Sequence, residues 1–227
     1  MTGYCTVSNY KKKLKEPTKN CRQCKRLAEF RSENKLTEPT WYNGPVKSFG
    51  SLNAQLLVVG LAPGLKGANR TGRPFTGDFA GDLLYPTLEH LGLARGEYGR
   101  SNHDTIQLRN CRITNAVRCV PPKNKPTSSE IKQCNIFLQS EIAAMASLKV
   151  VLALGHIAHN AVLRSFSIKQ SKHRFKHGAV HPLTKKLSLA NSYHCSRYNT
   201  NTGRLTEEMF RKVLINLCSI IDMPTSQ

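Results

Sequence analysis

The sequence predicts an α/β protein built on a four-stranded parallel sheet covered by helices on both faces. Three observations carry that expectation. Short apolar runs of the buried-strand type alternate with longer helical patterns, Pro and Gly fall between the two, and the loops that follow the strands hold the unusual residues. The last point matters because open α/β sheets bind ligands at the carboxyl ends of their strands. With 227 residues, 39% of them hydrophobic, the chain suits a single domain over residues 1–227, an N-terminal segment (1–50) preceding an α/β core (51–227). Folding a chain of this length buries roughly 70–75% of its unfolded surface.

Each element has its own signal. Residues 55–60 form an apolar run ending in Gly60, the first strand. Residues 78–93 carry helical periodicity, with Pro86 bending the helix. The second strand spans 111–117. A capping box, Thr127-Ser128-Ser129-Glu130, announces a helix over 130–148. Residues 149–154 are the third strand, 156–166 a helix, 187–193 the fourth strand, and 207–221 the closing helix.

Charge narrows the function classes. There are 34 Lys and Arg against 14 Asp and Glu, a formal net charge of +20. Residues 142–206 contain no Asp or Glu and ten Lys and Arg, a field suited to phosphate backbones, whose neutralisation releases counterions. An anionic membrane surface is the minor competitor. No apolar run reaches the ~18 residues of a membrane span, and no apolar stretch precedes the Lys11, Lys12, Lys13 and Lys15 run as a secretory signal would require. The expected compartment is the cytoplasm, with the eight cysteines as thiols or metal ligands.

The loop over residues 60–81 reads GLAPGLKGANRTGRPFTGDFAG and contains six glycines. It fits neither standard nucleotide loop, since Lys66 lies between Leu65 and Gly67 rather than before Ser or Thr. Glycines in this number mean left-handed turns, close approach of main chain to a ligand, or simple looseness. Cys21 and Cys24 are spaced as metal ligands, and Cys119 and Cys134 bracket a Pro-rich turn and a helix start. Spacing alone leaves zinc, an iron–sulfur cluster and unligated buried thiols all open. Cys5, Cys111, Cys195 and Cys218 have no such pairing.

Three segments in order, GLAPG…GANRTGRPFTGD, TNAVRCVPP (114–122) and HCSRYNTNTGRLT (194–206), resemble the signatures of the type-5 uracil-DNA glycosylases of bacteria and archaea. The resemblance runs from the Cys21/Cys24 pair through Trp41-Tyr42-Asn43-Gly44-Pro45 to the final helix. It implies a three-layer α/β/α fold, a 4Fe-4S cluster on Cys21, Cys24, Cys119 and Cys134 with structural zinc as the alternative, and excision of deaminated bases from double-stranded DNA by a monomer. Related type-4 enzymes carry Glu where Leu61 stands, and types one to three carry Asp or Asn where Ala62 stands. Cys195 departs from the family, in which Pro is usual, and removes a rigid element from that loop.

The resemblance also assigns roles. Phe75 matches the aromatic on which uracil stacks, with Gly60 and Ala62 beside it. Asn115 carries an amide that donates and accepts at once, suiting an imide edge. His194 supplies a donor for negative charge that develops only as the base departs. Asn69 falls where water activation is expected, and Asp78, the nearest carboxylate, reads first as a helix cap. Arg70, Arg73, Ser196, Arg197, Asn199 and Thr202 are candidates for DNA phosphates. The expected reaction is leaving-group-driven hydrolysis through an oxocarbenium-like sugar, yielding abasic DNA, with uracil, hypoxanthine and xanthine as substrate bases. The rival is a non-catalytic iron–sulfur or zinc module that binds nucleic acid.

Overall fold

The computed structural model describes residues 14–221; Cys5 and the lysines at 11–13 lie outside them. Helix α1 (Lys25–Thr37) and strand β1 (Phe49–Gly50) precede the core. Then come β2 (Leu56–Gly60), the single turn α2 (Ala68–Thr71), α3 (Phe79–His90), β3 (Ala94–Arg95), β4 (Gln107–Leu108) and β5 (Cys111–Asn115). The second half contains α4 (Ser128–Ala144), β6 (Val150–Leu154), α5 (His156–Ser165), β7 (Val180–Pro182), β8 (Ser188–Ser192), α6 (Arg197–Asn201) and α7 (Glu207–Ile220). None of these helices is long and apolar enough to cross a membrane.

The main sheet is mixed and six-stranded, in the order β1-β5-β2-β6-β8-β7, which corrects the four-stranded, all-parallel expectation. Its inner four strands, β5, β2, β6 and β8, pair in parallel. The additions are short antiparallel edges, β1 against β5 and β7 against β8. Strands of two or three residues are too short to show a period in sequence. Strands β3 and β4 form a separate two-stranded sheet.

Alternation along the inner strands builds the layers. Leu56, Val58, Ile113 and Leu152 turn to one face and pack with Leu84, Leu88, Phe210 and Leu214 of α3 and α7. Leu57, Val59, Val151 and Ala153 turn to the other and meet Leu138, Ala158 and Val162 of α4 and α5. All eight strand residues are fully buried, the pattern of a sheet covered on both sides.

The helix starts follow their local chemistry. Thr127 Oγ1 accepts from the Glu130 amide at 3.2 Å, and Glu130 accepts from the Thr127 amide at 2.7 Å, the reciprocal capping box that the motif announces. Asp78 caps α3 through the Gly81 amide, and Thr206 caps α7 through that of Met209 at 3.1 Å. Helix α4 is tied to β5 by Glu141, which accepts from Arg112 Nε at 2.7 Å and from Arg118. Burial opposes the charge, yet Arg118 and Arg112 hold the Glu141 carboxyl below the usual carboxylate range.

Candidate active site

Gly60 ends β2 and stands opposite Asn115, the last residue of β5, across the parallel ladder. Two residues past β8 comes His194. These strand ends open onto a cleft of about 650 Å³, walled by the loop after Gly60 and lined by Phe75, Asp78, Asn115, His194, Ser196 and Arg197. Three widely separated segments thus converge as the topology of an open α/β sheet requires.

Gly60 permits the convergence. A β-carbon there would sit 2.5 Å from Phe75 Cζ and closer still to Asn115 Oδ1, so the ring and the amide occupy the space a side chain would need. Phe75 itself has φ +53°, a left-handed conformation that costs a bulky residue about 1–3 kcal/mol. Its surroundings hold it there. Tyr98 donates to the Phe75 carbonyl at 3.1 Å, and buried Tyr85 donates to the Pro74 carbonyl at 2.7 Å.

Phe75 and His194 are stacked, with ring centroids 5.9 Å apart and planes 27° from parallel. Burial pushes the His194 imidazole down to about 4, so it is neutral near pH 7 and presents one N–H donor. Asn199 Nδ2 donates to the His194 carbonyl at 2.8 Å, and Ser196 caps α6 by accepting from the Asn199 amide at 3.5 Å. Cys195 is fully buried in the core beneath α3 and α7.

Several of the expected site residues stand away from the cleft wall. Asn69 does not line the cleft. The turn of α2 points it inward, where it is fully buried and Nδ2 donates to Asn43 Oδ1 at 2.8 Å. Asp78 lines the cleft instead, its carboxylate against the backbone of Gly64 and Gly67, where a β-carbon would collide with it. Burial raises its carboxyl above the ordinary value. Asp78 is therefore both cap and cleft residue.

Arg73 is likewise corrected as a phosphate candidate. It is buried and forms a two-pronged pair with Asp104, at 2.7 and 2.6 Å, with its guanidinium 5.1 Å from the Phe49 ring centre. Asn199 is a brace for His194, and Thr202 donates to the Tyr198 carbonyl at 2.8 Å. Arg70 is exposed beside the glycine-rich loop, its Nε on the Lys66 carbonyl at 3.0 Å. Arg197 is exposed at the cleft, 5.2 Å over the Phe79 ring. Sequence reasoning missed Tyr85, Tyr98 and Asp104, which support Phe75 and Arg73, and Asn124, which lines the cleft.

Behind the cleft, Cys21, Cys24, Cys119 and Cys134 line one small cavity with Leu27 and Phe137. Ala62, a residue of the cleft wall, packs against this cluster. Burial pushes the Cys24 thiol up to about 11 and that of Cys119 up to about 12. The Arg118 amide donates to Cys134 Sγ at 3.3 Å. Cys111, Cys195 and Cys218 lie apart in the core beneath α3 and α7. Among the described residues no three His, Cys, Asp or Glu converge on a point that one ion could occupy.

Residues 47–218 match the uracil DNA glycosylase superfamily. A type-5 uracil-DNA glycosylase of Thermus thermophilus is 46% identical, with 86% of this chain and 91% of that protein covered. One from Pyrobaculum aerophilum is 42% identical over 86% of each chain. A third, from Mycobacterium leprae, is 40% identical over 83% of this chain and 86% of its own. A superfamily match across the α/β core and relatives aligned over most of their lengths place the chain in one family: it belongs to the type-5 uracil-DNA glycosylases of the uracil DNA glycosylase superfamily, hydrolases of N-glycosyl bonds.

Proposed function

We propose that this protein removes uracil, and also hypoxanthine and xanthine, from duplex DNA and leaves an abasic site in an uncut strand. The observation that carries the reading is the meeting of Phe75, Asn115 and His194 on one cleft at the strand ends. A module that merely bound nucleic acid would have no use for a stacker, an amide reader and a neutral donor in one place. A cleft of about 650 Å³ admits a purine as readily as a pyrimidine.

The extruded nucleotide, whose unstacking costs a few kcal/mol and least at a mispair, would lay its base on Phe75. Asn115 would read the imide edge by donating and accepting together. His194, half-buried on the cleft wall and neutral at pH 7, would donate to the base oxygen as negative charge builds there, an interaction strongest in the transition state. Asp78 would hold the attacking water and accept its proton once the sugar carries oxocarbenium character. Lys66, on the cleft wall, is exposed and lacks the desolvation that makes a lysine a Schiff-base nucleophile. One chain supplies the whole site, so it would act as a monomer, on chromosomal DNA in the cytoplasm.

The cysteines fit a 4Fe-4S cluster better than zinc. A zinc site of the ribbon type normally repeats the short spacing of its first pair in its second, whereas fourteen residues separate Cys119 from Cys134. Four sulfurs ringing a cavity are the donor set a cluster takes. When bound, the group would cross-link the start of α1, the loop after β5 and α4; its chemistry there is structural. Cys119→Ala would then lose the brown colour and fold poorly.

The test is a labelled duplex with one U·G mispair, half of each sample treated with alkali, beside a His194→Ala control. Strand breakage only after alkali, and lost in the control, is expected. Breakage without alkali overturns the monofunctional reading; an intact strand in both halves, under conditions where a known uracil-DNA glycosylase acts, overturns uracil excision. Duplexes with hypoxanthine and xanthine decide the breadth.

A further inference from the structure

The acid-free stretch folds into a feature that excision chemistry does not use. After α5 the sequence runs Lys172-His173-Arg174-Phe175-Lys176-His177, with Lys172, Arg174 and Lys176 exposed and the three residues between or after them half-buried. Such alternation sends cations outward and rings inward.

The inward residues are fastened to α5 and to the sheet edge. His159 Nε2 donates to the His173 carbonyl at 2.9 Å, and the His173 and His181 rings lie 4.9 Å apart. Phe175 meets the Tyr193 ring at 6.0 Å. His177 Nδ1 accepts from the Tyr193 amide at 3.1 Å while the two rings stack at 5.0 Å. Tyr193 directly precedes His194. The Gly178 amide donates to the Asn191 carbonyl at 2.9 Å, which carries the segment alongside β8 toward its carboxyl end, the end that opens on the cleft.

We propose that Lys172, Arg174 and Lys176 form a ridge that binds the phosphates of duplex DNA on one flank of the extruded nucleotide. Arg204, whose guanidinium lies 4.7 Å over the Tyr193 ring, joins the ridge to the loop that bears Arg197 at the cleft. Residues 142–206 contain no Asp or Glu, and among the described residues Lys172, Arg174 and Lys176 are in none of the ion pairs, which fall on Lys25, Arg26, Arg73, Arg100, Arg112 and Arg118. Anchoring of every inward ring lowers the entropy lost when the cations meet phosphate. A surface that served solubility alone would need neither the anchoring nor continuity with the cleft.

The inference rests on the reading that duplex DNA is the substrate, and the experiment keeps the two separable. Dissociation constants of wild type and of the Lys172→Gln/Arg174→Gln/Lys176→Gln variant would be measured on a U·G duplex from 50 to 200 mM salt. Each phosphate contact contributes about 0.9 to the slope of log K against log salt, so loss of three contacts should flatten it by about 2.7 and weaken binding at least tenfold at low salt. An Arg211→Gln/Lys212→Gln/Lys35→Gln variant, with the same change in charge on exposed positions of α7 and α1, should keep the wild-type slope. Shortening the duplex flank by flank should weaken wild type strongly on one side only, and the ridge variant equally on neither. An unchanged slope in the ridge variant, or an equal loss in the control, overturns the ridge while uracil excision by wild type leaves the function standing. Wild type that neither binds nor cleaves the duplex overturns the function itself.

Discussion

The ring of Phe75 lies against the α-carbon of Gly60, in the space a β-carbon would fill at 2.5 Å from Cζ. Strand β2 therefore delivers a residue without a side chain at the point where the stacking ring and the Asn115 amide must both reach the cleft. Gly60→Ala should displace one or both. A shift near 1 Å at a reacting centre costs about a hundredfold in rate, whereas overpacking costs about 1–3 kcal/mol of stability. Single-turnover excision from a U·G duplex should fall by about two orders of magnitude while thermal unfolding remains cooperative. Excision within threefold of wild type would mean that Phe75 and Asn115 can yield without consequence.

His194 makes a prediction about pH. Because burial pushes its pKa down to about 4, the imidazole stays neutral throughout pH 5.5–8, and excision should show no titration near 6.5, the ordinary histidine value. Stability has the opposite sensitivity. The unfolded chain takes up this proton near 6.5 and the folded one only near 4, so stability should decline as pH falls through that window. In His194→Ala, which removes the group, the decline between pH 6.5 and 4 should be shallower in denaturant titrations. A limb in the rate profile with its midpoint near 6.5 would show the ring titrating freely.

Asp78 and Asn69 separate by substitution. Asp78→Asn keeps a good helix cap, since Asn ranks with Asp at that position, but removes the proton acceptor, and excision should fall by about 10²–10⁴ with little change in melting temperature. Asn69→Ala cuts the buried hydrogen bond to Asn43 and should cost about 1–3 kcal/mol, while excision by the folded fraction drops less than tenfold. The reverse pattern would restore Asn69 as the water-positioning residue. Asp78 also predicts where the acid limb of the rate profile lies: burial raises its carboxyl, so activity should begin to fall at a pH above the ordinary carboxylate value.

The long strands and the helix starts were legible because their causes are local: a run of four or five buried apolar residues, a capping box, a glycine at a strand end. The loop residues that meet at the cleft were legible as chemistry, but their neighbours were not. An arginine in a glycine-rich loop looks the same whether it faces a phosphate or a carboxylate 31 residues onward, and the Arg73–Asp104 pair is set by tertiary packing alone. The inward side of Asn69 was not legible because α2 is one turn long, too short for periodicity to show which side faces inward. The edge strands β1 and β7 were invisible for the same reason of length.

The Arg73–Asp104 pair gives a last prediction, in which stability and geometry must change together. Arg73 is buried, forked onto both Asp104 oxygens and packed against the Phe49 and Tyr85 rings, and its Nε donates to Thr76 Oγ1 at 2.8 Å, so it ties down both sides of Phe75. Arg73→Gln strands the Asp104 carboxylate and should cost about 3–5 kcal/mol, or roughly 6–20 °C in melting temperature for a chain of this size. Arg73→Lys keeps the charge but lacks the planar fork, and should cost less stability while still slowing excision, because Thr76 loses its donor and the strained turn at Phe75 loosens. The pair also leaves an acid signature. Burial works against the Asp104 charge, but the Arg73 hydrogen bonds hold its carboxyl below the ordinary value, a contribution present above that value and lost as pH falls through the lowered one. Denaturant titrations between pH 5 and 2 should therefore show wild type losing stability more steeply than Arg73→Gln. Equal slopes would mean that solvent, rather than Asp104, satisfies the guanidinium.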